Sequence, residues 1–189
     1  MYIYGLNFGY LHFMRKLIFL FIAFLTLSTD IVEYPYFQKF DPQAKERSYY
    51  LYNFTKNFEW PNKEGNFIIT VIGENQGLVA ELTNLAKTRM VGSQKIEIQN
   101  HPSVTAFEKA NIIFITPDKS HLLTEAVAKF KGKGTLIVTE KTGLIKVGAA
   151  INFVIEDSKT KFELNKTAAT KAGLNISSSL EKMAKNVIN

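Results

Sequence analysis

A chain of 189 residues, 46% apolar and 13% aromatic, holds enough apolar surface for one packed core and too little for two. With charged residues at 21% and no stretch depleted of apolar side chains, disorder is excluded as an overall description. The absence of cysteine excludes disulfides, thiol catalysis and thiolate metal ligands, and a net charge of +6 is spread over scattered lysines rather than an arginine cluster.

Arg15 and Lys16 precede Leu17–Leu27, an apolar run interrupted only by Thr26 and closed by Ser28, Thr29 and Asp30. A basic start, a short apolar run and small polar residues describe a secretory signal peptide. Such a run rises only about 16 Å as a helix, against roughly 30 Å of bilayer hydrocarbon. Met14 supplies the natural start of this signal, which makes Met1–Phe13 an upstream extension. An uncleaved anchor is the alternative, because no A-x-A site follows. The expected organisation is an extension and signal over 1–29, then one domain over 30–189, with no stable membrane span after cleavage. Removing 1–29 takes away only Arg15 and Lys16, so the net charge falls from +6 to +4. Lys129, Lys131, Lys133, Lys141 and Lys146 are expected on a solvated face, and no nucleic acid is expected as a partner.

Asp30–Phe40 lacks periodicity and leads into the domain. Asp41-Pro42 has the form of a helix opening. Ala44, Leu51, Phe54 and Phe58 recur at helical spacing, and Pro61 predicts a stop near Glu59. Phe67–Ile72 is a buried strand, Gly73–Gly77 a turn, and Leu78, Leu82 and Leu85 one face of a second helix. Ile96 and Ile98 alternate with polar residues along a half-exposed strand. Ile112–Ile115 is another buried strand. After Pro117, the residues Leu123, Ala126, Val127 and Phe130 form a helical face. Gly132 and Gly134 lead into a buried strand over Thr135–Thr139. Ile151, Phe153 and Ile155, then Phe162 and Leu164, alternate on either side of Asp157-Ser158, which predicts a β-hairpin. Ala168–Ala172 is a short helix ended by Gly173. Ser178 and Glu181 have the spacing of a capping box opening a last helix with Leu180, Met183, Ala184 and Val187 on its face. This succession predicts a three-layer α/β/α domain with a mostly parallel sheet and an antiparallel C-terminal hairpin.

Motifs for chemistry are missing. His12, His101 and His121 form no H-x-x-x-H pair, so no metal site is expected. Gly92-Ser93 is not a nucleophile elbow. Gly73-Glu-Asn-Gln-Gly77 separates a strand from a helix and resembles an anion cradle, but it is neither a dinucleotide fingerprint nor a phosphate loop, and Glu74 would repel phosphate. No catalytic residue and no cofactor are therefore assigned. The three N-x-S/T sequons, at Asn53, Asn165 and Asn175, would carry no weight in a bacterial setting, and Asn53 falls within a predicted helix.

Two stretches carry a family resemblance. Leu51-Tyr-Asn-Phe-Thr-Lys-Asn-Phe-Glu-Trp-Pro61 resembles a helix-to-loop signature near the start of YfiR-like periplasmic proteins. Gly143-Leu-Ile-Lys-Val-Gly-Ala-Ala-Ile-Asn-Phe-Val154, then Lys161–Asn165, Ala168-Ala169, Ala172–Leu174 and Ile176–Ser178, resembles that family's C-terminal half in content and order. The resemblance covers about residues 44–184. It implies a compact periplasmic α/β domain without catalytic activity, often homodimeric. It also implies a regulator that restrains an inner-membrane signalling protein, a diguanylate cyclase or a sensor kinase, by binding it. Ala110 stands where many relatives carry cysteine, so redox control through disulfides is not expected here. Trp60, Pro61, Gly148 and Asn152 are the candidate partner or ligand surface, with core and turn roles as the plainer account of the same residues. Two alternatives stand beside the adaptor. One is a periplasmic small-ligand binder with its pocket at the carboxyl ends of parallel strands. The other, more remote, is a hydrolase built from dispersed carboxylates.

Overall fold

The structure, a computed structural model, describes residues 41–189 together with Phe13, Arg15 and Lys16. The apolar run of the expected signal peptide, His12 and the Asp30–Phe40 leader lie outside the described residues. Helix α1 runs over Ala44–Asn57 and is followed by the short strand β1, Phe58–Glu59. The helix opens two residues later than Asp41-Pro42 predicts. Asp41 instead builds a turn: its side chain accepts the Gln43 N–H at 3.0 Å and its carbonyl accepts the Ala44 N–H at 3.1 Å. Strand β2 (Phe67–Ile72) leads to α2 (Gln76–Ala86), then β3 (Met90–Val91), β4 (Gln94–His101) and β5 (Ile112–Ile115). A 3-10 turn over Pro117–Leu122 enters α3 (Leu123–Lys129), followed by β6 (Leu136–Thr139) and α4 (Leu144–Val147). The C-terminal part comprises β7 (Ile151–Glu156), β8 (Lys159–Asn165), α5 (Lys166–Lys171), β9 (Asn175–Ile176), α6 (Ser178–Met183) and β10 (Asn186–Ile188).

Eight strands form one sheet in the order β10-β8-β7-β6-β5-β2-β4-β3, while β1 and β9 pair separately. Strands β4, β2, β5, β6 and β7 are mutually parallel, and β7–β8 is an antiparallel hairpin. Because side chains alternate across a strand, the sheet separates two cores. Ile69, Val71, Ile112, Phe114, Leu136 and Val138 pack with Leu51 and Phe54 of α1 and Leu78 and Leu82 of α2. On the other face Ile72, Ile113, Ile115 and Ile137 pack with Leu123 and Ala126 of α3. The expected three layers, parallel sheet and hairpin are all present. The hairpin turn places both Asp157 (φ 51°) and Ser158 (φ 60°) in the left-handed region, as a two-residue turn between twisted strands requires.

The C-terminus departs from the expected long helix. Helix α6 stops at Met183, which is exposed, and the chain then extends. The Lys185 N–H donates to the Phe162 carbonyl at 2.8 Å, and Val187 pairs in register with Leu164. The outer edge of β8 would otherwise leave a row of backbone groups unpaired, and pairing them outweighs one more helical turn. The cap of α6 is also displaced by one residue. Ser177, not Ser178, accepts the Leu180 N–H, and Glu181 pairs with Lys166 instead of closing a capping box.

Candidate functional site

The amino-terminal ends of the parallel strands gather the most distinctive sequence features. Trp60 folds back so that its indole Nε1 donates to the Thr55 carbonyl at 2.8 Å, and its ring meets Phe67 edge-on at 4.9 Å. Only 7% of Trp60 is exposed. Pro61 is exposed and rests on Gly134, whose φ of +70° suits glycine. A Cβ at 134 would overlap the Pro61 ring, with Cδ only 2.7 Å away. The Gly134 N–H in turn donates to the Ala172 carbonyl at 2.8 Å, so the segment after β1, the approach to β6 and the end of α5 are clamped together.

On either side of this clamp a cleft of about 410 Å³ opens. The first is apolar. Thr135, Ile137 and Ala150 form its floor, Val127 and Phe130 one wall, and Ala168 and Ala172 the other. Gly148 stands at its mouth with φ +129°, and a Cβ there would lie 3.4 Å from Val127 and narrow the entrance. Asn165 holds the mouth's backbone from both sides. Its Oδ1 accepts the Ala168 N–H and its Nδ2 donates to the Ile145 carbonyl, each at 2.8 Å. Lys131, Lys146 and Lys171 ring the cleft, and no acidic residue lines it. The second cleft is polar and satisfied from within. Asn66 and Gln99 donate to the two oxygens of Glu97 at 2.9 and 2.7 Å, which holds that carboxyl below its ordinary range. Glu108 is likewise lowered by its bond to Lys129 at 3.0 Å.

Of the four candidate surface residues, Pro61 lines the polar cleft and Gly148 the apolar one, while Trp60 and Asn152 line neither. Asn152 is wholly buried in a polar row across three strands. It accepts from Thr139 Oγ1 at 2.8 Å and donates to Glu163 at 3.0 Å. The sequence offered no means of finding the lysine rim, because Lys131, Lys146 and Lys171 come from three separate elements.

The carboxyl ends of the strands, where a pocket was expected for a small ligand, carry a network of the protein's own charged and polar side chains. Arg47, 4% exposed, lies between Asp41 and Glu140, with Nη1–Oδ1 at 2.6 Å to Asp41. Asn75 donates to Asp41 at 2.8 Å and also caps α2 by accepting the Leu78 N–H at 2.9 Å. Burial pushes the Glu140 carboxyl above its ordinary range, with Arg47 pulling the other way. Gly73, at φ +104°, lets Thr116 and Lys119 pack against it, so the turn from β2 into α2 spans Gly73–Asn75 and Gly77 already lies in the helix. His101 stacks on Phe107 at 5.1 Å. Among the described residues no group of three or more His, Asp and Glu side chains is arranged to hold a metal, and no helix is long and apolar enough to cross a membrane.

Among solved structures, the chain is similar to a conserved domain protein from Vibrio cholerae, at 12% identity and a TM-score of 0.50, over 77% of this chain and 60% of that one. It is also similar to an ABC domain in complex with L-Trp from Streptococcus pneumonia, at 15% identity and a TM-score of 0.47, over 65% of this chain and 55% of that one. The chain thus spans about three fifths of the length of these structures, and the likeness to the Vibrio protein concerns the fold alone. No curated protein matches the sequence. A family model described as YfiR/HmsC-like (DUF4154) matches residues 44–185, nearly the whole of the α/β domain, and the chain belongs to this family of periplasmic, generally regulatory proteins.

Proposed function

We propose that the protein is an exported, non-enzymatic adaptor that controls an inner-membrane signalling protein by binding its periplasmic part. The observation that carries this reading is the extent of the family match, residues 44–185, which takes in α1 to α6 and β1 to β9. The signal-like segment that begins near Met14 supports export through the inner membrane. At the carboxyl ends of the strands, where many α/β domains take ligands, Arg47 is engaged by its own carboxylates, which favours recognition over the opposite edge. There Pro61 is exposed and Gly148 half-buried, and they are the accessible members of the candidate surface. An adaptor of this kind needs no catalytic group. It acts by binding one conformation of its partner more tightly than another, and its effect is bounded by that difference in affinity.

In-cell proximity crosslinking of the mature protein followed by mass spectrometry tests the proposal. Enrichment of one inner-membrane cyclase, kinase or receptor is the expected result. Recovery of abundant bystanders alone, with crosslinker placed at both edges of the sheet, would overturn it.

A further inference from the structure

Three ammonium groups surround the apolar cleft, and each lacks an anionic partner among the described residues. Lys131 follows α3, Lys146 belongs to α4 and Lys171 ends α5, and all three are exposed. Two other lysines nearby in sequence are paired, while Lys133 and Lys141 have no carboxylate partner among the described residues. Lys129 is bound to Glu108 at 3.0 Å and Lys166 to Glu181 at 3.0 Å. What sets this cleft apart is that lysines line it and no Asp or Glu does.

Inside the rim the surface is mostly apolar, and two of its polar side chains are already committed, while Thr167 is exposed. Thr135 Oγ1 donates to the Ala110 carbonyl at 2.7 Å, and both ends of the Asn165 amide are engaged with backbone. Val147, 55% exposed at the mouth, continues the apolar lining outward. A guest in this space would find apolar contact within and positive charge at the entrance. A volume of 410 Å³ falls in the range of about 300–1,000 Å³ usual for small-molecule sites.

The geometry points to a binding site for an amphipathic organic anion, with its apolar body in the cleft and its carboxylate among Lys131, Lys146 and Lys171. Inorganic anions fit the charge and leave the interior unused, while neutral apolar molecules fill the interior and ignore the rim. Lysines are strongly hydrated point charges without the planar fork of arginine, so the rim selects for charge and not for headgroup shape. Affinity and selectivity come from the chain buried in the cleft. This site gives the adaptor a ligand and does not rest on the adaptor reading.

Isothermal titration of the full chain with hexanoate, octanoate and decanoate tests it, with octan-1-ol and inorganic phosphate as comparisons. Affinity should rise about four-fold for each methylene added, the equivalent of burying one such group. Octanol and phosphate should each bind at least about ten-fold more weakly than octanoate, and octanoate binding should weaken with salt. Replacing all three lysines, K131Q with K146Q and K171Q, should lower octanoate affinity about ten-fold and flatten the salt dependence. These side chains are exposed, so the thermal midpoint should hold and certify the fold. Ala168→Leu, which fills the cleft, should weaken octanoate at every salt concentration. No binding by any carboxylate, equal binding of octanol or phosphate, or an unchanged triple-lysine variant would each overturn the site. The crosslinking experiment is read without octanoate, so either result stands apart from the other.

Discussion

Trp60 terminates the helix that precedes it: its indole Nε1 donates to the carbonyl of Thr55, five residues back, at 2.8 Å. Thr55 lies in the last turn of α1, where carbonyls lose their intrahelical partners, and this one is buried. The signature Leu51–Pro61 is thus a helix, a side-chain cap for its end, and a proline that seals the exit. Its aromatic members continue inward, with Phe58 at 6.0 Å from Trp60 and Phe54 at 6.5 Å from Phe58.

Trp60→Phe keeps most of the apolar bulk and removes the donor. It leaves a buried carbonyl unpaired, which costs about 1–3 kcal/mol. Trp60 is the chain's single tryptophan, so unfolding of the variant in urea must be followed by circular dichroism. A loss below about 0.5 kcal/mol, the level of an ordinary surface substitution, would show that the cap contributes nothing.

Gly132 and Gly134 both have φ of +70°, yet only at Gly134 would an added Cβ meet another segment. Gly132→Ala meets open space and should cost only the left-handed conformation, about 1 kcal/mol. Gly134→Ala adds an overlap with the Pro61 ring and should cost at least about 2 kcal/mol. In a Pro61→Ala background the gap between the two variants should narrow, because the obstructing ring is gone. Chemical denaturation of the set forms a double-mutant cycle, and equal costs in both backgrounds would refute the clamp.

Glu140 offers a pH test. Burial raises its carboxyl above the ordinary 4.5, so between 4.5 and the raised value the folded state binds more protons than the unfolded chain. The Glu140 contribution to stability should fall as pH rises through that window and be level above it. Glu156 acts in the opposite sense. Lys161 and Lys185 lower it to about 2, so its contribution is present above 4.5 and fades as pH falls toward 2. Urea midpoints measured across both windows should show Glu140→Gln removing the decline above 4.5 and Glu156→Gln flattening the acid limb. An unaltered profile in either variant would refute its assignment.

The strands that lie buried on both faces were legible in the sequence because burial leaves continuous apolar runs, as in Ile112–Ile115 and Phe67–Ile72. The hairpin was legible through alternation on either side of Asp157-Ser158. Strand β10 was not, since Leu180, Met183, Ala184 and Val187 also fit a helical face. What decided against the helix was the unpaired edge of β8, which belongs to the tertiary structure and leaves no mark on the local sequence. The same holds for the clefts. Gly148 and Pro61 stood out by their sequence neighbours, but the lysine rim is assembled from three elements that only the topology brings together.

The cap of α6 shows how far local spacing can go, and where it misses by one residue. Ser178 and Glu181 satisfy the capping-box spacing, but Ser177 has the extended backbone of a cap (φ −72°, ψ 146°) and its Oγ accepts the Leu180 N–H at 3.2 Å. Ser177 also donates to Asn57 at 2.9 Å, tying the start of α6 to the end of α1. Ser178 is exposed and lies within the helix. Ser177→Ala should therefore destabilise by about 1 kcal/mol, the usual value of a lost N-cap, and Ser178→Ala should stay within about 0.5 kcal/mol of the parent. The comparison separates the two assignments directly, because the substitutions are chemically identical and one residue apart. A larger loss at Ser178 than at Ser177, in paired urea titrations, would restore the capping box and shift the start of α6 by one residue.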